Sequence, residues 1–323
     1  MPTTRSPRKG SMQFWPRKRA ASQIPRIRHV GKSNEPKPLA FAGYKVSMAH
    51  VIAVDNRANA LTKGERIAYP VTILECPSIK IAAINFYKKD AYGLSLSTCF
   101  ISTKLDKELS RSIPLPKKTK VSLEAIKPEE YHDIRAVVYT QPKLTGIGKK
   151  KPELFEIPLG GSVKDKFNWL KENLSKEINF KDIFKPGHLV DVRAVSRGKG
   201  IQGPVKRFGV KIRQHKSEKT KRGPGSLGAW KGQGHMMYRV AHAGQTGYHQ
   251  RTEYNKWILK IGDKPEDINS KSGFKHYGVV RNSYVILKGS VPGPNNRLIL
   301  LTEPLRPDKK VPKEAPTIIQ IIR

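Results

Sequence analysis

The chain has 323 residues, enough for one large or two ordinary domains, and its hydrophobic content of 37% is sufficient for a packed core. Its charge is unusual, because 62 Lys and Arg residues stand against 26 Asp and Glu residues, for a formal net charge of +36. Such an excess calls for a polyanion, and nucleic acid is a better candidate than an anionic membrane. No run approaches the ~18 apolar residues of a spanning helix, and no apolar stretch near the N-terminus resembles a signal peptide. We therefore expect a soluble intracellular protein without membrane contact.

The first predicted element is a basic N-terminal arm, residues 1–40. Residues 1–34 contain nine Lys or Arg residues, four prolines and no acid, a composition that opposes a free helix or strand. We expect the arm to be disordered alone and to become ordered on RNA, with Trp15 stacking on the RNA or wedging into it. In the alternative interpretation, the arm is a solvated tail whose aromatic residues pack back on the body. The predicted RNA contacts of the arm are Arg5, Arg8, Lys9, Phe14, Trp15, Arg17, Lys18 and Arg19.

The second predicted element is a mainly β body made of residues 41–66 and 182–323. Its strand-like runs are separated by turns rich in Gly, Pro and Asn, and short strands at this density indicate a closed or nearly closed β-barrel. The runs are residues 44–55, 188–196, 256–262, 279–289, 297–303 and 317–323.

Residues 67–181 predict an α+β insertion into this body. The clearest helix begins near Ser162, with Asp165 placed to complete a capping box. Four apolar residues of this helix share a face at helical spacing and are expected to pack in the core: Val163, Phe167, Leu170 and Leu174. The strand-like runs of the insertion are residues 79–87, 92–100 and 134–141.

A long basic finger, residues 197–252, interrupts the body. Residues 193–251 contain fourteen Lys or Arg residues, eleven glycines and one acid, Glu218. Loops of this length are uncommon in compact domains unless they are functional or disordered. Glycine allows close backbone approach, cations neutralise phosphates, and aromatic rings and histidines stack on bases. The predicted RNA contacts of the finger are Arg197, Lys199, Lys206, Arg207, Lys211, Arg213, His215, Lys216, Lys219, Lys221, Arg222, Trp230, Lys231, His235, Arg239, Gln245, His249 and Arg251.

Signals for enzymatic chemistry in the chain are weak. Residues 198–203, GKGIQG, fit the glycine pattern of dinucleotide sites, but Pro204 and a cationic stretch follow where an apolar helix is required. His235, His242 and His249 recur every seven residues, yet Gly244 and the lack of an intervening acid argue against a metal site on a helix. No paired carboxylates or nucleophile and base stand out. We expect no enzyme activity, no cofactor and no metal.

Three long blocks of the chain resemble a known family. RAVSRGKGIQGPVKRFG (193–209), TKRGPGSLGAW (220–230) and AHAGQTGYHQRTEYNKWILKIG (241–262) are similar to the universal L-three family of large-subunit ribosomal proteins. The arm's SPRKGSMQFWPRKRA (6–20) resembles the archaeal and eukaryotic branch, and the shorter C-terminus, which ends at TIIQIIR, leads us to expect an archaeal-type member. The similarity covers most of the chain.

This resemblance implies a β-barrel of the translation-protein type with an α+β insertion, a long basic central loop and an extended N-terminal arm. It also implies that the finger runs into 23S-type rRNA toward the peptidyl transferase centre, with Trp230 at its tip. The implied roles are structural support and early assembly of the large subunit in the cytoplasm. Neighbouring large-subunit proteins are the expected protein partners, and no homo-oligomer is expected. An RNA-modifying enzyme that holds its substrate with the finger and a DNA-packaging protein are the alternatives.

Overall fold

The computed structural model describes residues 7–118, 122–228, 234 and 237–322. The described chain divides into two compact units, which we call the basic unit (within Met1–Ser22 and Val195–Gln250) and the β unit (within Gln23–Ala194 and Arg251–Arg323). The α-helices are α1 (Val163–Asn173) and α2 (Pro204–Phe208). The strands are β1 (Ala40–Val54), β2 (Arg66–Glu75), β3 (Ile79–Asp90), β4 (Gly93–Ile101), β5 (Asp133–Thr140), β6 (Leu154–Pro158), β7 (Glu177–Ile178), β8 (Leu189–Val195), β9 (Ile201–Gln202), β10 (Gly244–Gln245), β11 (Gln250–Gly262), β12 (Tyr284–Lys288), β13 (Leu298–Thr302) and β14 (Ile318–Ile322).

A seven-stranded sheet forms the larger part of the β unit, in the order β13-β8-β11-β12-β2-β1-β14, with a further pairing between β13 and β1. The long strand β1 makes these extra pairings possible. Its first residues, from Ala40 to Tyr44, pair with β13, whereas His50 to Ala53 pair with β14. Following the pairings from β1 through β2, β12, β11, β8 and β13 therefore returns to β1. Each of the six strand-like runs predicted for the body overlaps one of these strands, although β1 and β11 begin four and six residues before their predicted runs.

Strand β2 belongs to this sheet and was not predicted from the sequence. It pairs antiparallel with β1 along its length and with β12 from Val71 to Glu75. Proline normally argues against a central strand, because it cannot donate to the ladder. Pro70 is tolerated because the residue pairing with β12 ends at Val71, so that no N–H donor is needed at position 70. The carbonyl oxygen of Pro70 still accepts a hydrogen bond from Gly289 N at 2.7 Å. The expected boundary at residue 67 therefore falls inside β2, and the second sheet begins only at Ile79.

The second sheet has the order β4-β3-β5-β6, with β7 also paired to β3, and α1 accompanies it. The predicted helix start is confirmed, because the Ser162 side chain accepts from Asp165 N while Ser162 N donates to the Asp165 carboxylate. Phe167 and Leu170 are buried, as the helical spacing predicted, and the Phe167 ring lies 6.1 Å from that of Phe86 on β3.

One continuous hydrophobic core joins the two sheets of the β unit. Phe41 of β1 meets Phe180 edge to face at 5.3 Å, beside the second sheet. Tyr44 is fully buried, and its hydroxyl lies 2.9 Å from Thr140 Oγ1 and donates to Glu153 Oε2 at 2.8 Å. The α+β region and the larger sheet thus share one hydrophobic core.

Alkaline pH is expected to destabilise the β unit through its buried tyrosines. Burial and the nearby Glu153 raise the pKa of Tyr44, and burial and Glu75 raise the pKa of Tyr277. Above pH ~10 the unfolded chain loses protons that the folded state keeps, so the free energy of unfolding falls as pH rises, by up to ~1.4 kcal/mol per pH unit for each tyrosine. Urea unfolding between pH 8 and pH 11, measured as ~1-unit steps, tests this slope. Tyr277→Phe should make the decrease of the unfolding free energy with pH shallower. An unchanged slope in that variant would mean that Tyr277 does not contribute to the pH dependence.

Candidate nucleic-acid interface

A short antiparallel ribbon closes the base of the finger within the basic unit. Strands β9 and β10 pair, and Lys199 N donates to Thr246 O at 2.9 Å while Thr246 N donates to Gly200 O at 2.9 Å. Gly247 has φ +72°, and a Cβ there would collide with the carbonyl of Arg197. The ribbon therefore needs glycine at this position, and it brings the two ends of the finger together.

A five-residue helix, α2, follows the ribbon directly. Pro204 occupies its first turn, where a missing N–H costs nothing, and Gly209 ends it with φ +70°. A helix therefore does begin after the GKGIQG run, where the sequence indicated none. It is too short, and too basic at Lys206 and Arg207, to serve as the apolar helix of a dinucleotide site.

The arm packs on the base of the finger through an aromatic cluster whose partner rings were not identified from the sequence. The Trp15 ring lies 6.3 Å from the rings of both Phe208 and Tyr238. The Arg17 guanidinium lies over Phe208 at 4.3 Å and over Trp15 at 5.3 Å, within the range of cation–π attraction. Trp15 thus packs inside the basic unit and keeps 36% of its surface exposed, so stacking on RNA stays a prediction. Phe208 gave no sequence signal, because its partners lie far away in the chain.

Arg207 and His249 hold the basic unit together. Arg207 donates to three backbone carbonyl oxygens: Gln245 O at 3.0 Å, His242 O at 2.9 Å and Arg17 O at 3.3 Å. Burial lowers the pKa of its guanidinium. His249 is 7% exposed, and its Nδ1 lies 2.8 Å from Lys18 O. These contacts give both residues a structural role, and their predicted RNA contacts stay untested.

Most other predicted finger cations are exposed along a segment that carries one acid, Glu218. In the part of the chain that the structure describes, no salt bridge involves any of them. Their charge is therefore uncompensated by the protein and open to phosphates. These exposed cations are Arg197, Lys199, Lys206, Lys211, Arg213, Lys216, Lys219, Lys221, Arg222 and Arg239, and the predicted contact His215 is exposed on the same segment.

The remaining predicted contacts are placed as follows. Gln245 is half-buried and donates through Nε2 to Gly247 O at 2.9 Å. Arg251 belongs to the β unit, and burial lowers the pKa of its guanidinium. The arm residues Arg8, Lys9, Phe14, Lys18 and Arg19 are exposed, and Arg17 is half-buried. Four predicted contacts lie outside the described residues: Arg5, Trp230, Lys231 and His235.

Among residues 7–118, 122–228, 234 and 237–322, no three His, Cys, Asp or Glu side chains come together in a group able to hold a metal ion. None of the helices in these ranges is long and apolar enough to cross a membrane.

A small ordered base that carries a long, acid-poor run of exposed cations is typical of proteins that bind a polyanion such as RNA. A family model described as ribosomal protein L3 matches residues 1–321. The chain belongs to the ribosomal protein L3 family, which confirms the resemblance seen in the sequence and the prediction that the chain is not an enzyme.

Archaeal relatives match along nearly their whole length. The large ribosomal subunit protein uL3 of Archaeoglobus fulgidus is 44% identical over 308 residues, covering 94% of this chain and 93% of the relative. The uL3 protein of Methanocaldococcus jannaschii is 45% identical over 318 residues, which cover 95% of this chain and 94% of the relative. The uL3 protein of Methanobrevibacter smithii is 45% identical over 314 residues, which cover 94% of this chain and 93% of the relative.

Proposed function

We propose that this protein is a structural constituent of the large ribosomal subunit and binds large-subunit rRNA through its basic unit. The observation that carries the proposal is the set of exposed Lys and Arg side chains among the described residues between Arg197 and Arg239, none of them in a salt bridge there, in a member of the L3 family. Such cations release condensed counterions when they meet phosphates, and this release supplies most of the affinity.

Two groups of side chains in the basic unit have different roles. Arg207, His249 and Trp15 make contacts inside the protein and set the geometry of the base, whereas the exposed cations remain available for phosphates. Glycines along the finger let the backbone approach RNA closely, which favours recognition by shape over recognition by base sequence. Removing an exposed cation should therefore weaken binding to many RNA sequences alike.

We infer that strands β1, β2, β12, β11, β8 and β13 form a closed barrel of the translation-protein type. The support is the ring of pairings that returns to β1. From this body the finger, residues 197–252, would extend into 23S-type rRNA toward the peptidyl transferase centre, with Trp230 at its tip. The ribbon of β9 and β10 supports this arrangement, because it joins both ends of the finger and leaves the intervening residues as one long loop.

The partners that follow from this role are 23S-type rRNA and neighbouring large-subunit proteins in the cytoplasmic ribosome. The relatives' name, large ribosomal subunit protein, supports this placement. We propose that the protein does not form a homo-oligomer and that it supports early assembly of the large subunit.

Sedimentation of native cell extract through a high-salt sucrose gradient tests the proposal. We expect near-stoichiometric retention in the large-subunit peak at ~0.5 M salt, because contacts that are only surface electrostatics weaken steeply with salt. Mass spectrometry across the gradient measures the amount of this protein against other large-subunit proteins. Recovery only in light fractions, or together with DNA, would contradict a structural role in the ribosome.

A further inference from the structure

Two basic loops of the β unit, distant in the sequence, lie side by side. The first loop is residues 142–151, PKLTGIGKKK, and the second is residues 271–282, KSGFKHYGVVRN. Asn282 Nδ2 donates to Leu144 O at 3.2 Å. Gly146 packs so closely that a Cβ there would lie 2.8 Å from the carbonyl oxygen of Val279. Tertiary contacts therefore join these segments into one surface, which we call the two-loop surface.

The second loop is held in place by a buried carboxylate. Glu75 is fully buried, and it accepts hydrogen bonds from Arg281 N at 2.9 Å, from Asn282 N at 2.9 Å and from Asn282 Nδ2 at 2.8 Å, as well as from the Tyr277 hydroxyl. A tight turn precedes this anchor, where Phe274 N donates to Gly278 O at 2.8 Å. The cations of this loop thus project from a preorganised backbone, which reduces the entropy lost on binding a ligand.

The two-loop surface has a concentrated positive charge that the protein does not neutralise. The nearby acids are already paired, since Lys143 contacts Glu108 at 2.5 Å and Lys149 contacts Glu153 at 2.5 Å. Residues 268–302 contain no acid. Five exposed cations of the surface have no salt bridge within the described residues: Lys150, Lys151, Lys271, Lys275 and Arg281.

Lys150 and Lys275 lie near the point where the two loops meet. An extended chain advances at most ~3.6 Å per residue, so Lys150 and Lys275 each lie within ~15 Å of the contact between Gly146 and Val279. At physiological salt the Debye length is ~8 Å, so neighbouring cations on each loop reinforce one another's potential.

We propose that the two-loop surface is a second RNA-binding site, which takes the ribose-phosphate backbone of a folded RNA independently of the arm and the finger. This inference rests on the proposed function. An acidic protein is the other polyanion to consider. The apolar strip between the loops consists of Leu144 and Val279, exposed by 44% and 50%, and it is smaller than the buried centre of a stable protein interface. Spread cations without such a centre favour a phosphate backbone.

The test compares two full-length variants of equal charge. The test variant replaces Lys150, Lys151, Lys271 and Lys275 by glutamine. The control variant replaces four other exposed lysines of the β unit, each near an acid in the sequence, by glutamine: Lys171, Lys176, Lys309 and Lys310. Thermal unfolding of both variants should match that of the wild type, because all eight side chains are exposed.

Binding to purified large-subunit rRNA is then measured at several salt concentrations. We expect the slope of log affinity against log salt to become shallower by ~3 in the test variant, since each lost phosphate contact removes a little under one unit. At physiological salt the affinity should fall by about tenfold or more. The control variant should change both quantities far less.

Three results would overturn the inference. Equal losses in the two variants would mean that only overall charge matters. A test variant that binds rRNA like the control but enters large subunits poorly would assign the surface to an acidic protein neighbour. Failure of the wild-type protein to bind large-subunit rRNA would remove the proposed function itself, and with it this site.

Discussion

Replacing Glu75 by alanine is expected to lower the free energy of unfolding of the β unit by ~4 kcal/mol. The carboxylate is fully buried and accepts hydrogen bonds from Tyr277, Arg281 and Asn282. Alanine would leave the buried Tyr277 hydroxyl and the partly buried donors of Arg281 and Asn282 without their acceptor, and each unsatisfied buried donor costs ~1–3 kcal/mol. The same change would release the second loop of the two-loop surface. Urea unfolding of the full chain measures the loss through the shift in midpoint at unchanged slope.

Glutamine at the same position is the matched control. The amide keeps the shape and one accepting oxygen, and its NH₂ group meets the Tyr277 hydroxyl, which is able to accept as well as donate. We expect Glu75→Gln to cost only ~1–2 kcal/mol. If alanine and glutamine destabilise the protein equally, the loss is due to charge alone and the hydrogen-bonded anchor is not the cause. If alanine has no effect, Glu75 does not hold the loop.

Deleting residues 1–20 is expected to reduce incorporation into the large subunit by at least about tenfold, because the arm loses six cations and each phosphate contact contributes strongly at low salt. The deletion also removes Trp15 and Arg17 from the Phe208 ring and uncovers the base of the finger. Quantitative mass spectrometry of purified large subunits, from cells that also express the tagged wild-type protein, measures the competition between the two forms.

Two smaller changes separate the arm's possible roles. Trp15→Ala keeps every cation but removes the aromatic contacts with Phe208 and Tyr238. A variant with Lys9, Lys18 and Arg19 changed to glutamine keeps the aromatic cluster and removes exposed charge. Loss of incorporation in the first variant alone would assign the arm to support of the finger base, and loss in the second alone would assign it to RNA. Normal incorporation of the deletion itself would refute an anchoring arm.

Several features of this protein could be predicted from the sequence because their signals are local. The helix α1 was predicted from Ser162, Asp165 and apolar residues at helical spacing, all within one short segment. The strands of the larger sheet, apart from β2, were predicted from short apolar runs separated by turns rich in Gly, Pro and Asn. The concentration of positive charge in the arm and the finger depends only on composition, and it indicated a polyanion partner before any contact was known.

Strand β2 shows where local signals fail. Pro70 opposes a strand by its own chemistry, and only the point at which the β12 ladder stops makes it acceptable. Glu75, at the end of the same strand, gave no sign of its role, since its hydrogen-bond partners come from a loop far along the chain.

The amino-acid sequence by itself thus determined the family, the mainly β composition, the helix α1 and the segregation of charge. Only the tertiary structure decided that Trp15 packs on Phe208, that Arg207 donates hydrogen bonds to backbone carbonyl oxygens of the basic unit, and that residues 142–151 and 271–282 share one surface. The physical reason is the range of the interactions. Capping, periodicity and net charge depend on neighbours in the chain, whereas packing and buried hydrogen bonds depend on which distant segments the fold brings into contact.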